Sequence, residues 1–276
     1  MWWFFLYWGV LGALAALEMF IPDRDLPAGR ENRWPANFAI GFANAILVPL
    51  VPVSVVVVAS RAQDREFGLL NYIHPPAWIG AGVTFVALSL AGYGIHVLLH
   101  KVPALWRLHR VHHMDLHLDV STALRTHPLE MLITVVALSA ATALLGAVLW
   151  AVACYELMDQ IVALISHANV RLPRRLEKPL RLLLVTPRFH CLHHSSCRPE
   201  TDSNYGSLFT LWDRFFGTLN VVPAAGYDGV RVGLDEVRDA RTWNLWWQMI
   251  SPAMRLDSAA AVTKTYAVAD FDPPTR

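Results

Sequence analysis

The chain has 276 residues, 55% of them hydrophobic and 16% charged, with a formal net charge of +1 and a mean hydropathy of +0.36. This is the composition of an integral membrane protein, and the near-zero charge without a basic stripe excludes a nucleic-acid footprint. Cys154, Cys191 and Cys197 form an odd set with no CxxC pair, so a disulfide framework is excluded as well and free thiols are expected.

The first apolar stretch, Trp2 to Ile21, follows an N-terminus with no basic region or small-residue cleavage site. It reads as a retained span whose aromatic residues anchor at the interface. A polar loop from Pro22 to Pro35 carries Arg24, Arg30 and Arg33, and a second stretch runs from Ala36 to Ala59. The next loop offers Arg61 and Arg65, with His74 before Pro75-Pro76, and a third stretch covers Ala77 to Leu99. Each has about the 20 residues that one crossing requires. The fourth run, Leu129 to Ile165, is too long for one crossing and suits a hairpin turning near Leu145-Gly146-Ala147, where glycine tolerates the reversal.

Charge sets the expected orientation. Lys101, Arg107, Arg110 and Arg125, then Arg171, Arg174, Arg175, Lys178, Arg181 and Arg188, lie on one side, opposite Arg61 and Arg65. The positive-inside rule places the richer side in the cytoplasm. The fold class expected is therefore an all-α integral membrane protein with about four transmembrane helices, one run being a hairpin, and a cytoplasmic helical cap. Three segments follow: 1–76 with N-terminal transmembrane helices and loops, 77–222 with the membrane hairpin and the histidine-bearing segments, and 223–276 as a peripheral segment and tail. In the last, Trp243, Trp246 and Trp247 either float a short helix on the headgroup layer or pack on the body, and Asp270 to Arg276 reads as disordered.

Histidine spacing carries the chemistry. His109, His112 and His113 repeat the i, i+3, i+4 pattern of His190, His193 and His194, while His96 and His100 are i, i+4. On helices each set shares one face. Leu105-Trp106-Arg107-Leu108 leads into the first set as a short amphipathic helix, and Thr186-Pro187 reads as the N-cap and first residue of the helix bearing the second. So many basic rings without a shared cation would repel, and neutral imidazole is a common ligand of iron, zinc and copper. The pattern reads as a multinuclear metal site. His117 and His127 lie off this spacing and are expected to make hydrogen bonds.

These residues carry a resemblance. HVLLH at His96 to His100, LWRLHRVHH at Leu105 to His113, STALRTHPLE at Ser121 to Glu130, HANV at His167 to Val170, TPRFHCLHH at Thr186 to His194 and NYGSLFTLWDRFFGT at Asn204 to Thr218 occur in that order. The chain resembles the fatty acid hydroxylase superfamily, which includes sterol desaturases, fatty acid hydroxylases and alkylglycerol monooxygenase. The STALR and NYG elements lean toward the alkylglycerol monooxygenase branch. The resemblance implies a membrane-bound, O2-dependent di-iron enzyme that hydroxylates or desaturates a lipid, with two Fe ions, O2 as co-substrate and zinc able to substitute in isolated protein. It implies the ligand set His96, His100, His109, His112, His113, His167, His190, His193 and His194. Carried over by position, His96, His109, His112, His190 and His193 would hold one metal, and His100, His113, His167 and His194 the other. One departure is visible: several relatives have an HxxxH pair where this chain has Ala163 and His167, so one ligand of the second metal is missing and leaves a position open for oxygen or water unless Asp159 or Glu156 compensates.

Among carboxylates and amides, Glu156, Asp159, Asn204 and Asp213 are the expected supports of the ligands, with a structural pairing to Arg125 as the other reading of the two acids. No catalytic residue beyond the metal ligands is expected. The electron donor is expected to be a separate ferredoxin or cytochrome b5-type protein, since the chain shows no flavin fingerprint, haem module or iron–sulfur pattern, and Arg171, Arg174, Arg175 and Lys178 offer a basic face to it. A bacterial inner membrane fits these features. The competing reading is a non-redox zinc-binding membrane hydrolase or metal transporter, although nine clustered imidazoles exceed the three ligands and open position that catalytic zinc uses.

Overall fold

The computed structural model describes residues 2–25, 29–51 and 53–256, so Asp270 to Arg276 lie outside the described residues. Helices α1 (Trp2–Phe20), α2 (Arg30–Leu50), α3 (Val55–Asp64) and α4 (Leu69–Ile73) precede α5 (Ala77–Lys101), α6 (Pro103–His113), α7 (Pro128–Leu145) and α8 (Leu149–His167). Shorter helices follow: α9 (Arg174–Leu180), α10 (Pro187–His193), α11 (Arg198–Thr201), α12 (Leu211–Phe215) and α13 (Leu245–Ile250). Among the described residues there is no strand, only isolated bridges such as Leu184 with Phe209. The protein is all-α and integral to the membrane. By length and composition, five helical segments suit a crossing: Trp3–Phe20, Arg30–Ile73, Ala77–Lys101, Pro128–Leu145 and Leu149–His167.

The hairpin turns where glycine allows it. Gly146 caps α7 in the left-handed conformation, with φ 65° and ψ 45°. The loop after α3 meets this turn backbone to backbone, since a Cβ on Gly68, itself at φ +100°, would lie 2.2 Å from the Gly146 nitrogen. Only glycine fits there. Gly68→Ala is expected to destabilise the protein by at least about 2 kcal/mol, the sum of the left-handed penalty and a displaced backbone. A fall in thermal midpoint in detergent would register it; an unchanged midpoint would contradict the contact.

The stretch expected to be one span from Ala36 to Ala59 is broken. α2 already begins at Arg30, ends at Leu50 and gives way to α3 only at Val55. The cause is in the sequence: Pro52 cannot donate and pushes its predecessor toward extended backbone, and Val51 has φ −80° and ψ 127°. Ser54 then caps α3, accepting from the Val57 amide at 3.2 Å. α3 and α5 each pack against both α7 and α8, so the hairpin arms are joined through their neighbours. The core there brings Val55 and Ala59 of α3 against Leu88 of α5 and Val152, Tyr155 and Val162 of α8.

A buried ionic network ties the ends of α1, α2, α6 and α8 that lie toward the histidines to the segment between α6 and α7. Arg33 donates to Asp115 at 2.7 and 3.1 Å and to Asp119 at 3.1 Å. Arg125 reaches the Val111 and Thr242 carbonyls, both at 2.7 Å, with Asp115 4.0 Å away. Asn37 and Thr122 complete the shell around Asp115 at 3.1 and 2.9 Å. Burial alone would raise the Asp115 carboxyl, but Arg33 and Arg125 hold it well below the usual carboxylate range. Glu18, at the end of α1, accepts from the Val120 and Asn169 amides at 2.7 and 2.9 Å, pinning that helix to the same floor.

The segment after Pro223 straps across this floor: Thr242 accepts from Arg125, and Met254 accepts from Arg110 at 2.8 Å. The tryptophan group divides. Trp247 packs with Val111 and Met114, Trp243 lies over Gly29, and Trp246 is exposed.

Candidate metal centre

Nine histidines converge where α5, α6, α8 and α10 meet. α5 supplies His96 and His100 from its last turns, and Pro103 at the first position of α6 starts the helix that carries His109, His112 and His113. His167 ends α8. α10 begins at Pro187 as its sequence implies, although the Thr186 hydroxyl donates to Glu177 at 3.1 Å instead of capping the helix. α10 presents His190 and His193, and His194 follows at its C-cap.

The rings fall into two groups. His96, His100, His109, His113 and His193 place one ligand atom each within 4.8 Å of one another, and so do His112, His167, His190 and His194. This sorting differs from the one carried over by position, and helix geometry explains it. At about 100° per residue, i and i+4 are offset by only ~40°, whereas i+3 swings ~60° the other way. In each triplet the i, i+4 pair stays together and the i+3 ring crosses to the other group: His112 leaves His109 and His113, and His193 leaves His190 and His194. The two groups abut, with the His113 and His194 rings stacked at 4.5 Å.

Hydrogen bonds at the far nitrogens fix the tautomers. His96 Nδ1 lies 2.7 Å from the Tyr205 carbonyl, His167 Nδ1 2.7 Å from the Ala163 carbonyl and His193 Nδ1 2.7 Å from the Ser203 carbonyl. His109 Nδ1 lies 2.7 Å from a Glu130 carboxylate oxygen. A carbonyl or carboxylate oxygen accepts, so these Nδ1 atoms donate, and in the neutral ring each Nε2 is left as a bare lone pair. The Nε2 atoms of His96 and His109 nonetheless face each other at 3.1 Å. His167 Nε2 faces His112 and His190 Nε2, both at 3.0 Å, and can accept from one of them in good geometry. His193 Nε2 and both nitrogens of His100 are buried with no hydrogen-bond partner among the described residues, Asp202 Oδ1 standing 3.6 Å from His100 Nδ1.

Protonation does not relieve this crowding. Burial first, and neighbouring imidazoles second, push His112, His113, His190 and His194 well below 6.5. Burial brings His193 down to about 3. Neutral rings aiming lone pairs at a common point are the donor set of a cation, and 3.0–3.2 Å between nitrogens suits adjacent ligands at about the 2.0–2.1 Å of metal–imidazole bonds. The residues present therefore fit a metal in each group.

The expected supports are only partly at the site. Asp213 accepts from the Tyr205 and Gly206 amides at 2.7 and 2.9 Å, which aims the carbonyl that His96 uses. Asn204 ties the Phe189 carbonyl in α10 to Asn220, at 3.1 and 2.7 Å. Glu156 and Asp159 show no bond to a ring or to Arg125 among the described residues. Along α8, Asp159 and Glu156 lie about 12 and 16 Å from His167; Asp159 is one turn, about 6 Å, from Ala163, and its Oδ1 is engaged by Ser207 at 2.8 Å. Ala163 itself contributes its carbonyl to His167. His127 takes the hydrogen-bonding role expected of it, accepting from the Leu129 amide at 3.2 Å and donating to the Met249 carbonyl at 3.2 Å.

The carboxylate hydrogen-bonded to a ring is Glu130, two residues into α7 and buried, while Asp202 Oδ1 lies 3.6 Å from His100 Nδ1. The place of Glu130 in the first turn of a helix entered through a proline is a legible signal; the Ser203, Tyr205 and Ala163 carbonyls leave none. Glu130→Ala is expected to weaken metal binding about 10–100-fold, the usual cost of losing such a partner, with Glu130→Gln milder because it retains an acceptor. Chelator competition measures this, and equal affinity in wild type and Glu130→Ala would contradict the role.

The family model described as fatty acid hydroxylase matches residues 81–218, from α5 to just past α12. The chain belongs to the fatty acid hydroxylase family. Among curated relatives it is 30% identical to ornithine lipid hydroxylase OlsE of Rhizobium tropici, over 62% of this chain and 51% of that protein. It is 28% identical to human alkylglycerol monooxygenase over 54% of this chain and 32% of that one. Methylsterol monooxygenase 1 of Gallus gallus is 34% identical over 46% of this chain and 41% of that enzyme. The chain thus spans about half the length of the first of these relatives and less of the others. No solved structure matches.

Proposed function

We propose that this member of the fatty acid hydroxylase family is a membrane-bound, O2-dependent oxidoreductase that hydroxylates or desaturates a lipid at a pair of iron ions. The observation that carries the reading is the pair of abutting all-imidazole groups whose tautomers leave Nε2 lone pairs facing one another. Iron held there supplies the redox chemistry with O2 that an unactivated C–H bond demands and no side chain provides.

His96, His100, His109, His113 and His193 hold one ion and His112, His167, His190 and His194 the other. Glu130 and the Ser203, Tyr205 and Ala163 carbonyls keep four rings in the binding tautomer. The four-ring group, lacking a histidine at Ala163, keeps a coordination position for a small ligand. Trp106 covers the five-ring group, 5.0 Å from His100 and 5.4 Å from His113, and limits water there. The site faces the cytoplasm, because Arg33, Lys101, Arg107 and Arg110 cluster at its end of the spans while the opposite end offers Arg61 and Arg65. Electrons come from a separate ferredoxin or cytochrome b5-type carrier. The lipid substrate is proposed in common with relatives whose names are lipid hydroxylase and sterol monooxygenase.

Comparison of lipids from cells making the wild type with those making His109→Ala tests the function. Lipids that gain one oxygen atom or lose two hydrogens only with the wild type are expected; identical lipid profiles would overturn it.

A further inference from the structure

Packing holds the ring of His100 in place but does not decide which of its nitrogens faces the other four rings. The side chain is fully buried, with the Trp106 and Tyr205 rings 5.0 and 5.1 Å away. A half-turn of an imidazole exchanges its nitrogens while nearly preserving such ring contacts, so a polar partner has to make the choice. In the five-ring group, His96, His109 and His193 are fixed through Nδ1, and His113 Nε2 stands 3.2 Å from His109 Nε2. His100 makes no hydrogen bond through either nitrogen among the described residues.

Asp202 can make that choice. It follows α11 at the C-cap, where its amide donates to the Arg198 carbonyl at 2.8 Å, and its Oδ2 accepts from Lys101 Nζ at 3.1 Å. That leaves Oδ1, buried and without a hydrogen-bond partner, 3.6 Å from His100 Nδ1. A bare nitrogen lone pair turned toward a carboxylate is repelled, so the proton belongs on Nδ1 and Nε2 is the bare atom. The separation is roughly 0.8 Å longer than a charge-assisted N–H···O bond of about 2.8 Å, a distance that small changes in the Asp202 torsions close.

The neighbours of Asp202 act on the same group. Ser203 gives its carbonyl to His193 and Tyr205 gives its carbonyl to His96, while Asn204 between them takes up φ 57° and anchors the stretch to the Phe189 carbonyl of α10. Four consecutive residues thus turn acceptors toward three rings of one group.

We propose that Asp202 is a positioning residue of the metal centre: its Oδ1 accepts from His100 Nδ1–H and so commits His100 Nε2 to the ion of the five-ring group. Lys101 keeps the carboxylate turned for this contact, and a carboxylate acceptor makes the imidazole a stronger donor to a metal. The competing account is a surface ion pair between Lys101 and Asp202, 51% and 28% exposed, which by itself contributes little. The inference rests on the metal reading of the two groups and needs neither iron, O2 nor a lipid.

Cobalt(II) binding to full-length, metal-stripped protein in nanodiscs tests the two separately, with absorption bands reporting each ion and thermal melting of the metal-free protein reporting the fold. Wild type is expected to bind two ions. Asp202→Ala should weaken one of them about 10–100-fold and leave the other unchanged, with Asp202→Asn in between because an amide oxygen still accepts. Lys101→Met should cost a few-fold at most. In a His100→Ala background, adding Asp202→Ala should change cobalt affinity by less than about two-fold, since the ring through which the carboxylate acts is gone. Wild-type affinity in Asp202→Ala, equal weakening of both ions, a loss in Lys101→Met as large as that in Asp202→Ala, or additive losses in the double variant would overturn the role of Asp202, and two-ion binding by the wild type would still uphold the metal reading. A wild type that binds fewer than two ions would overturn that reading and this role with it.

Discussion

Single replacements His109→Ala, His113→Ala and His193→Ala are each expected to strip iron and abolish turnover while the protein remains folded in the membrane. All three rings belong to the five-ring group, and their helices are held by contacts that do not pass through the imidazoles, so the loss falls on the metal. Removing a ring that donates directly should exceed the ~10–100-fold affinity loss that removal of an outer partner brings. His117→Ala is the internal control: its backbone carbonyl accepts from Thr122 at 3.5 Å, and its ring belongs to neither group. Iron content by elemental analysis and activity on membrane lipids check the prediction together. Retained activity in any two of the three variants would remove them from the ligand set.

The second large effect falls on the fold. Asp115→Asn is expected to cost roughly 3–5 kcal/mol, because it leaves two fully buried guanidinium groups, Arg33 and Arg125, with Asp119 as the remaining carboxylate. Against a total stability of about 5–15 kcal/mol, such a loss should sharply reduce the yield of folded protein. The combination Arg33→Met with Asp115→Leu should be milder than Asp115→Asn alone, since it removes one charge of each sign and lets apolar side chains fill the floor. Thermal unfolding in detergent compares the three proteins. A double variant less stable than the single one would show that shape, not charge balance, governs this network.

The fold was legible in the sequence wherever one physical demand dominated. Bilayer length marked the spans, and the single glycine in the long apolar run marked the reversal at Gly146. Proline at the first position marked the start of α10, and Pro103 and Pro128 occupy the same position in α6 and α7. The break between α2 and α3 was equally written there, in Pro49, Pro52 and Ser54, but the hydrophobicity of the flanking valines outweighed it. At the site, i, i+3, i+4 spacing identified rings able to share a face, yet did not sort them between two centres. That division depends on the ~100° helical step combined with the approach angles of four helices, a tertiary property.

Supports of the site were the least legible part. Glu156 and Asp159 drew attention because ionisable groups within an apolar helix are costly. Among the described residues Asp159 bonds Ser207, and neither acid bonds a ring. Three of the four groups that orient the imidazoles are backbone carbonyls, which no side-chain pattern encodes, and Asp213 acts through one of them by holding the Tyr205 and Gly206 amides. Conversely, Arg33 sits in a stretch first read as a polar loop, where nothing local foretold its burial against Asp115.

The central claim is that nine imidazoles hold two redox-active ions side by side. Its most direct test is metal analysis with iron X-ray absorption on protein purified anaerobically from iron-supplied cells. The account predicts two iron atoms per chain, nitrogen neighbours at about the metal–imidazole distance of 2.0–2.1 Å, and oxygen uptake that depends on that iron. One tightly bound zinc, no iron and no iron-dependent oxygen uptake would contradict it.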